Sequence, residues 1–335
     1  MTPLNLSQKE IYRQFCLKEE SLPVFLKDWW LDAVCFEGPW DAVTLYDDES
    51  KQVKAVLPYY RVKGRLGHSY LTMPHMTQFM GPWILYPPDQ KYTRKLSFEK
   101  ETLEELIHRL PTFDSFYQNF HYSLTNWLPF YWEGFQQSTG YTYVLENLAD
   151  LDETSRQFKE NIRREIRKAE KEVSVQVEND IEKFYHIACK TYARQELTFP
   201  LSMEFMERVD DACERNNCRR ILFAVDKQGR VHASVYLVWD SGSVYHLISG
   251  GDPKLRTSGA TSLLMSEGIR LAAEMKKKFD FEGSMIRPIE RFFSSFGAVQ
   301  KPYSQVSKVN SGYLRLKAFM KEKPTFLKKG GAKNF

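Results

Sequence analysis

Residues 281–298 read FEGSMIRPIERFFSSFGA. Phe279 and Phe281 alternate with Asp280 and Glu282, which predicts a strand with one apolar and one acidic face, ending at Gly283. Pro288 suits the first turn of a helix, where no N–H is needed. Ile289, Phe292, Phe293 and Phe296 then recur at helical spacing, and Gly297 offers a left-handed stop. Val299 to Lys308 can return as a further strand. A carboxylate at a strand end is commonly no more than a solvated charge. At an open strand end, Glu282 is also placed where a general base would stand.

The 335 residues suffice for two domains, each with its own core. With 42% apolar and 27% charged residues, the composition is that of a folded globular chain rather than a disordered one. A net charge of +4 is too small to prescribe a nucleic-acid partner. Cys16, Cys35, Cys189, Cys213 and Cys218 are odd in number, scattered, and without CxxC or Cys/His spacing. They indicate neither a disulfide framework nor a metal site, and they fit a reducing cytoplasm. The first twenty residues hold no apolar signal core, and no later stretch approaches the roughly 20 apolar residues that cross a bilayer.

Two regions share a pattern. Residues 41–72 and 219–249 each read as a three-stranded meander with polar, glycine-containing turns. Helical sequence precedes each: residues 22–36 before the first, residues 180–195 and 201–215 before the second. The expected organisation is a duplicated α/β unit, or two unrelated α/β halves, divided near Gly140. The first domain is then residues 1–140, the second 141–320, and the Lys-rich residues 321–335 a loose basic tail. Beyond the second meander, a strand ends at Ser249, and Arg256, Ser258, Gly259, Ala260 and Thr261 open a long helix closed by Lys276 to Lys278.

Three constellations can carry chemistry. The first is that helix start: free N–H groups, a glycine allowing close approach, and Arg256 suit a phosphate or diphosphate, although an ordinary capped helix reads the same way. No Walker loop or GxGxxG accompanies it. The second is a helix over residues 152–171, where Phe158, Ile162, Ile166, Ala169 and Val173 form an apolar stripe. Arg163, Arg164, Arg167 and Lys168 crowd its other faces, either as a salt-bridged surface, Glu160 pairing with Arg164, or as a docking surface for a polyanion. The third is a set of strand-end groups, His246, Glu282 and Tyr303, able to move a proton to or from an amine nucleophile. The aromatic run at residues 72–88 either lines a substrate pocket or packs a loop.

Taken together, FKENIRREIRKAEK, RTSGATSLLMSEGIRLA and FEGSMIRPIERFFSSFGAVQKPY resemble the GNAT acyltransferase superfamily, and within it the FemAB-like branch of tandem GNAT-type domains. The resemblance covers most of residues 141–310. It implies an α/β fold: two GNAT-like domains in tandem, with central, mostly antiparallel sheets flanked by helices. It also implies a splay between the fourth and fifth strands of the second domain, into which the acyl donor fits. The implied reaction is transfer of an acyl group from acyl-CoA, such as acetyl-CoA, to an amine, in the cytoplasm and without a metal. Ser249, Gly250 and Gly251 would hold the thioester carbonyl, and Arg256 with Ser258 to Thr261 the diphosphate. Glu282 or His246 would take the proton, with Tyr303 as donor to the leaving thiolate. In the peptidoglycan-bridge branch the donor is aminoacyl-tRNA and the acceptor a cell-wall precursor, for which Arg163, Arg164, Arg167 and Lys168 would grip the anion. Thr261 stands where the superfamily has Gly or Ala, and Phe293 where many members carry an acidic tyrosine. That substitution also leaves room for a catalytically silent binding module.

Overall fold

Alternating apolar residues give both expected meanders. In the computed structural model, which describes residues 6–47, 50, 52–64, 66–194 and 196–316, the first meander is β1 (Trp40–Tyr46), β2 (Val53–Lys63) and β3 (Ser69–Thr72). A short β4 (Trp83–Ile84) also pairs with β2, and β5 (Ser115–Asn119) runs parallel to β3. The second meander is β8 (Arg219–Asp226), β9 (Val231–Trp239) and β10 (Ser243–Gly251), with β7 (Val173–Val177) against the outer side of β8.

Three further strands join the halves: β6 (Gln136–Leu145), β11 (Lys278–Asp280) and β12 (Val299–Val309). The whole forms one twelve-stranded mixed sheet in the order β1-β2-β3-β5-β12-β6-β11-β10-β9-β8-β7, with β4 off this path. The two expected sheets are thus continuous. The reason is β12, which is long enough to pair antiparallel with β6 from Val299↔Val144 to Ser307↔Gln136 and with β5 from Gln305↔Asn119 to Val309↔Ser115. Gly140, near which a boundary is expected from the sequence, lies inside β6 opposite Tyr303.

Helices cover both faces. On one, α1 (Gln8–Lys18), α2 (Asp28–Val34), α7 (Ile181–Ala193) and α8 (Met203–Arg215) bury a core that runs through both halves and includes Trp30, Phe25, Phe184, Phe205 and Tyr236. On the other, α3 (Tyr92–His108) and α4 (Leu128–Trp132) cover the first half. The second half is covered there by α5 (Leu151–Arg156), α6 (Glu160–Glu172), α9 (Ala260–Glu274) and α10 (Arg287–Ser294).

Several local expectations change. The helix expected over residues 152–171 is two helices, because Lys159 is extended and its N–H donates to the Ser295 carbonyl at 2.9 Å. Phe158 sits at this break and packs edge-on against Phe296, so the helical period persists in sequence while the backbone does not. In residues 22–36, Pro23 starts a 3-10 turn before α2. Ile289 is 39% exposed, whereas Phe293 and Phe296 are buried. The expected basic tail, 321–335, lies outside the described residues.

Candidate functional site

β10 and β11 lie side by side for three residues only: Ser243↔Lys278, Val244↔Phe279 and Tyr245↔Asp280. Beyond Tyr245, β10 stays on β9 as far as Gly251↔Ala233, with a bulge between His246 and Ile248. β11 stays on β6, which it pairs at Phe279↔Leu145 and Asp280↔Val144, the Phe281 N–H then donating to the Tyr143 carbonyl at 3.0 Å. The two strands therefore separate, and the separation opens at His246 and Glu282.

Glu282 leaves the strand line. Its φ is 58° and that of Gly283 is 64°. Only glycine fits at 283, since an added Cβ would lie 2.0 Å from the Tyr141 carbonyl oxygen. The Glu282 N–H donates to Asp280 Oδ1 at 2.8 Å, and Gln78 Nε2 from the first half donates to the Glu282 carbonyl. Oε1 of Glu282 is buried without a hydrogen-bond partner. Burial, then the neighbouring Asp280, pushes this carboxyl well above the usual range.

Asp280 is itself 3% exposed, so the acidic face expected from the sequence is not solvated. Its Oδ1 also accepts from Thr142 Oγ1 at 2.5 Å. Burial raises its carboxyl to about 6 against the pull of that hydrogen bond. His246 is buried beside the Phe293 ring, hydrogen-bonded to the Phe281 backbone, with Nε2 unpartnered. Burial lowers its pKa to about 4. Tyr303 lies flat over Gly140, where an added Cβ would come 2.4 Å from its ring. Burial first, then the charges of Tyr117, Glu282 and Asp280, raises its phenol to about 12. His246 and Glu282 thus meet at Phe281, while Tyr303, over Gly140, senses the charges of Glu282 and Asp280; Asp280, Thr142 and Gln78 join the group through hydrogen bonds.

The expected donor site is partly rebuilt. A cavity of about 220 Å³ is lined by Ser249, Gly250, Gly251, Arg256 and Thr261, but also by Thr191, Arg194 and His232. The Gly251 amide is already engaged, donating to Thr191 Oγ1 at 2.8 Å, so it is not free for a thioester carbonyl. Gly250 is a glycine because α7 crosses it: a Cβ there would sit 2.6 Å from the Ala188 nitrogen. Gly259, at φ 79°, likewise admits the Glu165 carbonyl of α6, 2.4 Å from where a Cβ would be. The close approach that this glycine allows is made by a helix. Ser258 and Ala260 are buried beneath that contact, and Ser262 Oγ bonds Glu165 at 2.5 Å. Arg256 and Arg194 face the remaining cavity with no ion pair among the described residues. His232, 6% exposed, holds Asp226 through Nε2 at 3.0 Å and leaves Nδ1 unpartnered.

On α6, Arg163 and Arg167 both close on Glu160 at 2.8 Å, in place of the expected Glu160–Arg164 pair. Lys168 Nζ reaches the Thr257 carbonyl at 2.6 Å, tying α6 to the turn before α9. Arg164 keeps no ion pair among the described residues. The aromatic run at 72–88 mostly packs: Phe79 and Met80 are buried, Phe79 against Phe25. All five cysteines are free, and no metal-binding group occurs among the described residues. No helix there is long and apolar enough to cross a membrane.

Sequence reasoning missed Asp280, Thr142, Gln78, Thr191, Arg194 and His232. An Asp two residues before a Glu-Gly pair is the signal of a side-chain-closed turn that would have found the first. The others carry no local signal.

Comparison with known proteins agrees with this architecture. Residues 156–284 match the acetyltransferase (GNAT) domain family. The structure is similar to that of FemX, with TM-score 0.65 and 12% identity, over 91% of this chain and 97% of that one. It is similar to L-PGS from Bacillus licheniformis, with TM-score 0.54 and 11% identity, over 95% and 98%. A tandem GNAT protein from the clavulanic acid biosynthesis pathway aligns with TM-score 0.50 and 9% identity, over 85% and 87%. No curated protein sequence matches the chain.

Proposed function

We propose that this chain, whose residues 156–284 match the acetyltransferase (GNAT) domain family and whose fold is similar to that of FemX, is an N-acyltransferase that moves an acyl group from acyl-CoA to an amine. The observation that carries this reading is the parting of β10 and β11 after Tyr245 and Asp280, with the unpartnered Glu282 Oε1 and His246 Nε2 at the opening. The residues present suit the donor. Arg194, Arg256 and the Thr261 hydroxyl, in the first turn of α9, offer charge and hydrogen bonds to a diphosphate. The pantetheine arm then runs along the free side of β10 toward Glu282.

In this mechanism the amine attacks the thioester carbonyl, a C–N bond forms and the C–S bond breaks. Glu282 is the better proton acceptor: its carboxyl is held above the usual range, whereas His246 is a weak base at about 4. Tyr303, protonated at neutral pH, is available as donor to the thiolate. On this reading a backbone amide near Ser249 or Gly250 would serve the developing oxyanion. Acyl-CoA is a cytoplasmic donor, and a cytoplasmic location goes with this reading.

A second reading keeps the site and changes the donor to aminoacyl-tRNA, with an amino acid passed to a cell-wall precursor. The unpaired Arg164 on α6 and the resemblance of the fold to FemX favour it. Native mass spectrometry of freshly purified protein, followed by calorimetry with CoA and acetyl-CoA, separates the cases. Binding of CoA supports the primary reading. Retention of tRNA on a filter that falls steeply with salt supports the second. Binding of neither by a folded protein leaves a catalytically silent module.

A further inference from the structure

Two carboxyls, Asp280 buried and Glu282 half-buried with its Oε1 out of solvent, stand two residues apart at the mouth of the strand gap, and only one is accounted for by proton transfer. Asp280 is 3% exposed and occupies the last paired position of β11 on β10. Its Oδ1 gathers the Thr142 hydroxyl and the Glu282 N–H, at 2.5 and 2.8 Å. The second bond closes a turn that holds Glu282 at φ 58°, a conformation that residues with a Cβ rarely adopt. Gln78 fixes the same peptide from the first half by bonding the Glu282 carbonyl. The side chain that results has Oε1 buried and unpartnered.

We propose that Asp280 is a positioning residue for Glu282: its hydrogen bond sets the left-handed turn that presents the Glu282 carboxyl at the gap, with a second carboxyl packed beside it. This inference rests on the reading of Glu282 as proton acceptor.

The surroundings support a net negative field. Lys278 on β11 is the cation that acts on Asp280, and it lies 3.8 Å from Glu146, with which it shares its charge. Asp240, in the turn before β10, adds negative charge, and its carboxyl is held by the Tyr245 hydroxyl of β10. Tyr122 from the first half and Tyr303 from β12 face the pair as neutral phenols, both raised by burial. His246 of β10, lowered to about 4, is neutral near pH 7 and adds no compensating charge. A like charge held this close disfavours ionisation of its neighbour, and the two carboxyls titrate as a coupled pair.

Carbon-13 NMR of protein labelled at the Glu and Asp side-chain carboxyls tests this without an acceptor substrate. The Glu282 resonance is identified by its loss in Glu282→Gln. In the wild type its titration should show two steps, the lower one tracking ionisation of Asp280. In Asp280→Asn, which keeps an oxygen acceptor for both hydrogen bonds, the curve should become a single step with its midpoint at lower pH. A raised Glu282 midpoint that Asp280→Asn leaves in place, or a single step in the wild type, overturns the inference while leaving Glu282 as a base. A Glu282 midpoint in the ordinary carboxylate range would instead remove the base reading itself. If Asp280→Asn does not fold, the wild-type curve alone decides.

Discussion

Tyr245 and Asp280 are the last pair of residues at which β10 and β11 run side by side, and His246 and Glu282 lie just beyond them. Tyr245 is itself anchored, its hydroxyl donating to Asp240 Oδ2 at 2.8 Å and its ring packed on Phe25 of the first half. The split is thus fixed at its apex by packing.

Replacing Glu282 with Gln removes the proton acceptor while keeping the shape. Thiol release from acetyl-CoA in the presence of primary amines should fall by about 10²–10⁴-fold at neutral pH. His246→Ala should cost far less, because burial makes His246 a poor base. Equal losses in both would contradict the assignment.

The stability that Asp280→Asn gains over the wild type should depend on pH. Burial raises the Asp280 carboxyl to about 6 in the folded protein, above the ordinary value of about 3.9. The native state therefore keeps a proton that the unfolded chain loses, and wild-type stability declines as pH rises from about 4 to about 6. The variant lacks this decline. At pH 7 it should be the more stable protein by up to about 3 kcal/mol, with the advantage gone near pH 4. Urea unfolding at both pH values measures this.

Gly259→Ala should destabilise the protein by on the order of 3 kcal/mol, from a strained left-handed alanine and the displaced Glu165 backbone of α6. A variant of unchanged stability that loses CoA binding would show that this glycine serves the ligand instead.

Arg194→Ala and Arg256→Ala should each raise the Kd for CoA by about tenfold, as the loss of one charge-assisted hydrogen bond predicts. Calorimetry at low and high salt checks it, and the salt dependence should become shallower in both. Normal affinity in Arg194→Ala would remove the cavity between α7 and α9 from the donor site.

What the sequence made legible was local and periodic. Pro288 at the start of α10, Gly297 at its left-handed end at φ 72°, and the two meanders all follow from spacing within a few residues. The α5–α6 break was hidden because Phe158 keeps the helical period while the Lys159 N–H is captured by Ser295, 136 positions away. Glu282 was legible as a strand-end carboxylate, but its turn depends on Asp280 closing it and on Gln78 holding it from the other half. Arg194 and Thr191 belong to the site only because α7 crosses β10 at Gly250, a contact that no local pattern encodes.

The place of β12 bears on how the chain comes off the ribosome. β5 and β6 meet across the sheet only through β12, so until Val309 has been synthesised both present open hydrogen-bonding edges. The first half emerges with its sheet unfinished, and its final closure waits for translation to pass the last strand. Expressing residues 1–140 alone would sever β6 at Gly140 and withhold the strand that seals β5, leaving a fragment prone to aggregate.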